Sequence, residues 1–89
     1  MKISNIMEQI RTVEGFDVQL LDADVQRPFN AKKKVDFSYD YKRAAPSKLT
    51  VSQWVRQRVP EGVNAKVYNS DGNEVHGRTT LNTVRRSYE

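Results

Sequence analysis

Cysteine is absent from the chain, which excludes disulfide bonds and thiolate metal sites. The 89 residues include only four glycines, and these form no phosphate-binding fingerprint. No apolar run approaches the roughly 18–20 residues that span a bilayer, and polar residues follow Met1 too soon for a signal peptide. The sequence therefore predicts a soluble, cytoplasmic protein that folds as a single domain over residues 1–89.

Residues that commonly carry catalysis are also scarce. His76 is the only histidine, and an exposed strand position explains it better than a role as a base paired with Glu74. Asp17, Asp22 and Asp24 cluster around the end of the first predicted strand, but they lack the spacing of a calcium-binding loop. We predict no catalytic residue, no metal, no cofactor and no enzymatic activity.

The net charge of +4 is concentrated in the middle third of the chain. Residues 31–60 hold eight lysines and arginines against two aspartates, whereas residues 1–30 are net acidic. Such a basic surface attracts phosphates or an acidic protein, and a purely solubilising role is the alternative. The candidate binding residues are Lys32, Lys33, Lys34, Lys42, Arg43, Arg56 and Arg58.

Residues 4–14 have the spacing of an amphipathic helix. Ser4 is expected to cap its first turn, and Gly15 suits the left-handed residue that follows a helix. Glu14 is assigned to the polar face, where charged neighbours pair across one turn. The apolar stripe consists of Ile3, Ile6, Met7, Ile10 and Val13.

Two segments alternate in the manner of strands, residues 16–21 and residues 34–42. The second segment gives the clearest alternation in the chain. We expect its aromatic face to be buried, because a small domain rarely exposes four large side chains. A nucleobase-stacking surface is the alternative. This face consists of Val35, Phe37, Tyr39 and Tyr41.

Residues 51–59 are predicted to form a second helix. Thr50 and Gln53 have the spacing of a capping box, and Leu49 and Trp54 have that of a hydrophobic staple. Both motifs indicate the same first turn.

The last third begins with a predicted hairpin over residues 63–75. Asp71 and Gly72 favour a two-residue type I′ turn at its tip. Residues 79–88 fit either a short helix capped by a threonine or a strand, and we favour the helix.

The predicted order is α-β-β-α-β-β-α. It indicates an α+β fold in which helices pack on one face of a mainly antiparallel, four-stranded sheet. A free edge of that sheet is a possible surface for a homodimer.

In its size, its isolated α+β pattern and its lack of catalytic groups, the chain resembles small accessory proteins of phages and mobile elements, including anti-CRISPR proteins. The resemblance is one of general type and assigns no residue a role. Inhibitors that mimic nucleic acid tend to be acidic, so the basic composition disfavours mimicry and leaves the blocking of an acidic protein surface open.

Two functions remain. The first is a non-enzymatic module that binds DNA, RNA or a nucleoprotein machine through the basic residues of the middle third, with no membrane partner. The second is an inhibitor or adaptor that binds an acidic protein through arginines together with exposed Tyr68, exposed Tyr88 or the polar loop over residues 22–31.

Overall fold

The computed structural model describes residues 1–89 and shows three helices and one three-stranded antiparallel sheet. The strands lie in the order β2-β1-β3, so the architecture is α+β. The elements are α1 (Ile3–Glu14), β1 (Asp17–Asp22), β2 (Arg27–Pro28), α2 (Val51–Arg58), β3 (Val63–Tyr68) and α3 (Leu81–Arg86).

One hydrophobic cluster joins the sheet to all three helices. In the β1–β3 ladder Val18 lies opposite Val67 and Leu20 opposite Ala65. All four are buried, and their alternate positions place them on one face of the sheet. The helices therefore cover that same face. Their buried contributions are Ile3, Ile6 and Ile10 from α1, Val51 and Trp54 from α2, and Leu81 and Val84 from α3.

Helix α1 ends as predicted but begins differently. Gly15 closes it with a φ of 85°, a conformation that glycine adopts at little cost. Ser4 is not its cap, since the N-cap residue is Lys2, whose side chain makes no capping bond. The N–H groups of Ile3 and Ser4 instead donate to the carbonyls of Lys33 and Ala31, both at 2.9 Å. A segment about 30 residues away in sequence thus provides the acceptors for the N–H groups of the first turn.

The strand predicted over residues 34–42 is wrong. Residues 31–45 run alongside helix α1 and lie outside the sheet, and we call this segment the strap. The expected burial of its aromatic face is correct only in part, because Tyr39 is buried and Val35 and Phe37 are half-buried, whereas Tyr41 is 41% exposed. The strap's hydrogen bonds, however, go to the residues at the start of α1 and to side chains of the three helices, as when Tyr39 N–H donates to Gln9 Oε1 at 3.2 Å. In the strap, alternating burial therefore occurs in a segment that does not pair with any strand of the sheet.

The predicted type I′ turn and the strand after it are also corrected. Asp71 does not have the positive φ that a type I′ turn requires, whereas Gly72 does, at 79°. The turn is closed one residue earlier, by Gly72 N–H donating to Asn69 O at 3.0 Å. The returning chain adds only a single bridge between Glu74 and Tyr68. Two of the four predicted strands are therefore absent. A short strand that was not predicted, β2, forms within the segment expected to be a polar loop over residues 22–31 and pairs with β1. The sheet thus has three strands rather than four, and the element order is α-β-β-α-β-α.

Both later helices begin at threonine caps. Thr50 Oγ1 accepts from Gln53 N–H at 3.2 Å and Gln53 Oε1 accepts from Thr50 N–H at 2.9 Å, which confirms the capping box. Thr80 caps α3, which confirms that the tail is helical. The two starts lie side by side, because Thr50 and Thr80 form an antiparallel bridge.

No helix in this fold combines the length and the apolar character needed to cross a membrane.

We expect Thr50→Ala to lower the free energy of unfolding by about 1 kcal/mol, because the Gln53 N–H loses its acceptor at the start of α2. Urea denaturation followed by circular dichroism measures the change. Thr12→Ala, at an exposed position inside α1, is the control and should change stability by less than about 0.5 kcal/mol. Equal losses in the two variants would contradict the capping role.

Candidate nucleic-acid interface

A buried carboxylate fixes the position of the strap. Glu14, the last residue of α1, is 1% exposed. Its Oε1 accepts from the Ala45 N–H at 2.9 Å and from Arg85 Nη2 at 2.7 Å. Its Oε2 accepts from the Tyr39 hydroxyl at 2.5 Å and from Arg58 Nη1 at 2.7 Å. Four donors therefore saturate the two oxygens, and they come from the strap, α2 and α3.

The two arginines extend this network into the backbone. Arg85 also donates to the carbonyls of Glu14 and Ala45, at 2.7 and 2.8 Å. Arg58 also donates to the carbonyl of Arg43 at 2.6 Å. Because a buried ion is tolerated only when it is paired and hydrogen-bonded, the charges of Glu14, Arg58 and Arg85 depend on one another.

Tyr39 completes the interior end of the network. Its hydroxyl accepts from the Trp54 indole N–H at 3.1 Å while it donates to Glu14. Burial, reinforced by the Glu14 carboxylate, raises the pKa of Tyr39 well above its usual value. Burial alone would lower the pKa of Arg58, but the neighbouring Tyr39 and Glu14 outweigh it and raise that pKa. Tyr39 and Arg58 thus stay protonated at neutral pH.

Glu14 was expected on the polar face of α1 because it is charged, and its burial corrects that expectation. Its position in the sequence indicates burial, because Ile6, Ile10 and Glu14 are spaced by four and share one helix face. A charged residue on an apolar stripe requires a partner in the core.

The three predicted lysines lie at the beginning of the strap. Lys32, Lys33 and Lys34 are exposed, and Lys34 forms an antiparallel bridge with exposed Lys2. We call these four residues the lysine corner. The protein's four ion pairs all involve other residues. The corner is therefore a concentration of positive charge that no carboxylate neutralises by direct contact.

The remaining predicted residues lie toward the other end of α1. Lys42 and Arg43 are exposed shortly before Ala45, which contacts the end of α1, and Arg56 is exposed on α2. Helix α1 has 12 residues and is roughly 18 Å long, so Lys42 and Arg43 form a second group about that far from the lysine corner. Arg56 is an exposed cation of α2 with no contact to that group. Arg58 is half-buried and paired with Glu14, so its guanidinium is already occupied inside the protein.

A shallow cleft of about 630 Å³ lies beside α1 and the strap. Its lining includes Glu8, Gln9, Asp40 and Tyr41.

The tyrosines proposed for protein contacts are not free. Tyr88 is half-buried, donates its hydroxyl to the Tyr68 carbonyl at 2.5 Å and accepts from the Asp17 N–H at 3.1 Å. Arg11 stacks on the Tyr88 ring at 4.6 Å from its centroid. Tyr68 is half-buried as well. The Tyr88 hydroxyl thus links the last residues of the sequence to β1 and β3.

The polar loop after β1 does present an exposed apolar residue. Val25 is 60% exposed in the turn between β1 and β2. Asp22 accepts from the Asp24 N–H at 2.9 Å and so stabilises the turn. Asp17 forms an ion pair with Arg11 at 3.3 Å on the surface. His76 is exposed, and its Nδ1 accepts from the Arg78 N–H at 3.1 Å.

The sequence matches no protein-family model, no curated protein and no solved structure.

Glu14→Gln is expected to lower the free energy of unfolding by about 3 kcal/mol, because it leaves two half-buried guanidinium groups without a counter-charge. Urea denaturation measures the loss. Glu8→Gln, an exposed change on the same helix, is the matched control and should stay within about 0.5 kcal/mol of the original protein. A similar stability for both variants would show that Glu14 is not essential to the interior.

Tyr39→Phe tests the raised pKa. The unfolded tyrosine loses its proton near pH 10, whereas the folded one keeps it to higher pH. The hydroxyl's contribution is therefore complete below pH 10 and is lost as the pH rises above that value. We expect the stability difference between the original protein and the variant to shrink between pH 10 and pH 12, as measured by urea denaturation at each pH. A difference that does not change with pH would refute this assignment.

Proposed function

We propose that this protein is a non-enzymatic binding module that engages nucleic acid, free or within a nucleoprotein machine, through its basic surface. The lysine corner supports the proposal most directly. It places four exposed ammonium groups at one end of α1 without a single ion pair. Unpaired cations of this kind neutralise phosphates and release the counterions condensed on a nucleic acid.

Backbone contacts keep the lysine corner in place. The Ile3 N–H donates to the Lys33 carbonyl, and the Val35 N–H donates to the Met1 carbonyl, both at 2.9 Å. Only the flexible lysine side chains remain to be ordered on binding, which limits the entropic cost. Lysine is a point charge rather than a planar fork, so these contacts favour phosphate without reading base sequence.

The second basic group extends the proposed contact. Lys42 and Arg43 are exposed and form no ion pair. A strand of nucleic acid that contacts both groups would follow the strap for roughly 18 Å. Arg58 has no place in this contact, because its interaction with Glu14 holds it inside the fold.

An inhibitor or adaptor of the phage accessory type, directed at an acidic protein, is the second proposal. The exposed Arg43 and Arg56 support it, because neither forms an ion pair and arginine is enriched at protein–protein hot spots. Such a complex would depend less steeply on salt than a nucleic-acid complex, because a protein partner releases no condensed counterions, and it would survive gel filtration. A homodimer through a sheet edge stays a prediction.

Replacing Lys32, Lys33 and Lys34 with Gln tests the first proposal. We expect the affinity for labelled oligonucleotides to fall at least tenfold at low salt. The slope of log affinity against log salt should become shallower by about two to three units, since three phosphate contacts are lost. Fluorescence anisotropy over a salt series measures both quantities.

The matched control replaces Lys48, Arg78 and Arg86, three exposed cations outside the two basic groups, with Gln. It removes the same charge and should weaken binding much less. Equal weakening by both triple variants would show that net charge alone drives association. If the original protein binds no oligonucleotide even at low salt, the first proposal fails.

A further inference from the structure

The cleft between the two basic groups differs from them in chemistry. It is lined by carboxylate, amide and aromatic side chains, among them Glu8, Gln9 and Tyr41. The lysine corner adjoins the start of α1, and Lys42 directly follows Tyr41 in the strap. A ligand that contacts both basic groups therefore also contacts this cleft, whose carboxylates repel phosphate.

Tyr41 is the aromatic part of that surface. It is 41% exposed and is one of three large apolar residues left in solvent. Its ring lies 5.0 Å from the ring of Tyr39, and Arg58 stacks on it at 4.3 Å from its centroid. Arg58 occupies one face of the ring, and the Tyr41 hydroxyl donates to the Gln57 carbonyl at 3.4 Å, so the ring has a defined position. A nucleobase would stack on the part of the ring that stays exposed.

Gln9 is the oriented polar group of the cleft. Its Oε1 accepts from the Tyr39 N–H at 3.2 Å, which fixes the amide so that Nε2 is left as a donor. Asp40 is fixed in a similar way, because its Oδ1 accepts from Ser38 Oγ at 2.6 Å while the other oxygen makes no bond. Glu8 is exposed on the same helix as Gln9, and its carboxylate forms no ion pair.

The two carboxylates decide which part of a nucleic acid fits here. Asp40 and Glu8 repel phosphates, but carboxylates accept hydrogen bonds from the amino groups of bases, such as N4 of cytosine. Those amino groups are accessible when a strand is unpaired. The expected arrangement has phosphates on the basic groups at both ends and bases in the cleft.

Resting on the function proposed above, we propose that the cleft lined by Glu8, Gln9, Asp40 and Tyr41 binds the bases of single-stranded nucleic acid and prefers bases that carry an amino group. At about 3.4 Å for each stacked nucleotide, the span of roughly 18 Å accommodates about five nucleotides. In a duplex the bases are stacked and paired and cannot enter a cleft beside Tyr41, so a duplex is bound only through its phosphates.

The experiment compares labelled single strands of oligo(dC) and oligo(dT), about ten nucleotides long, with a mixed-sequence duplex of the same length at pH 7.5. Fluorescence anisotropy gives each affinity. We expect the original protein to bind oligo(dC) about fivefold more tightly than oligo(dT), as one additional hydrogen bond to a charged group allows. The duplex should bind more weakly than oligo(dC).

The deciding variant combines Glu8→Gln with Asp40→Asn. Removing two negative charges should strengthen the binding of both strands, while the ratio of oligo(dC) to oligo(dT) affinity falls toward one. The triple glutamine variant of the lysine corner is the complementary control, and it should weaken both strands while keeping their ratio.

The possible outcomes separate the two proposals. If binding depends on the lysine corner but oligo(dC), oligo(dT) and the duplex bind alike, the base cleft is refuted and the phosphate contact stands. An unchanged ratio in the double variant likewise refutes the cleft, because the carboxylates then act only as distant charges. If no oligonucleotide binds at any salt concentration, both proposals fall.

Discussion

The interior of this protein depends on one buried carboxylate and the four donors that saturate it. Glu14 joins the end of α1 to the strap, to α2 and to α3, in a region where no β-ladder connects these parts. An uncompensated charge at this depth costs several kcal/mol, so the network favours complete assembly over any partial one. The hydrophobic cluster supplies most of the driving force, while the carboxylate determines which segments meet.

The same interior determines what the surface presents. The strap is tied to the chain before α1 at its beginning and to Glu14 at its end, with the Gln9 contact between them. Because the backbone is held at these three places, the basic residues on either side of the cleft have defined positions. Asp36 and Asp40 lie between the two basic groups in sequence and repel phosphates. Phosphates are therefore favoured at the two ends of the strap rather than along its whole length.

Several features set by neighbouring residues were predictable from the sequence, although the Ser4 cap and the type I′ turn, which are equally local, were not. The stripe of α1, the Gly15 terminus and the Thr50 capping box all lie within a few residues of their cause, and the structure has them. The strap was mistaken for a strand because alternation of burial is shared by any extended segment that lies against a core. Its hydrogen-bond partners lie about 30 residues away in sequence, where periodicity carries no information. For the candidate site, the lysines were readable as charge, whereas the retention of Arg58 inside the fold depends on Glu14, 44 residues away.

The contact between Glu14 and Arg85 also has a consequence for biosynthesis. The two residues are 71 positions apart, as are Asp17 and Tyr88, which close the neighbouring part of the fold. A nascent chain that has not yet produced Arg85 holds a carboxylate with one of its two guanidinium partners missing. Contacts between residues that are far apart in sequence slow folding relative to the local contacts of a helix. The native interior therefore cannot form until the residues through Tyr88 have been synthesised and have left the ribosome.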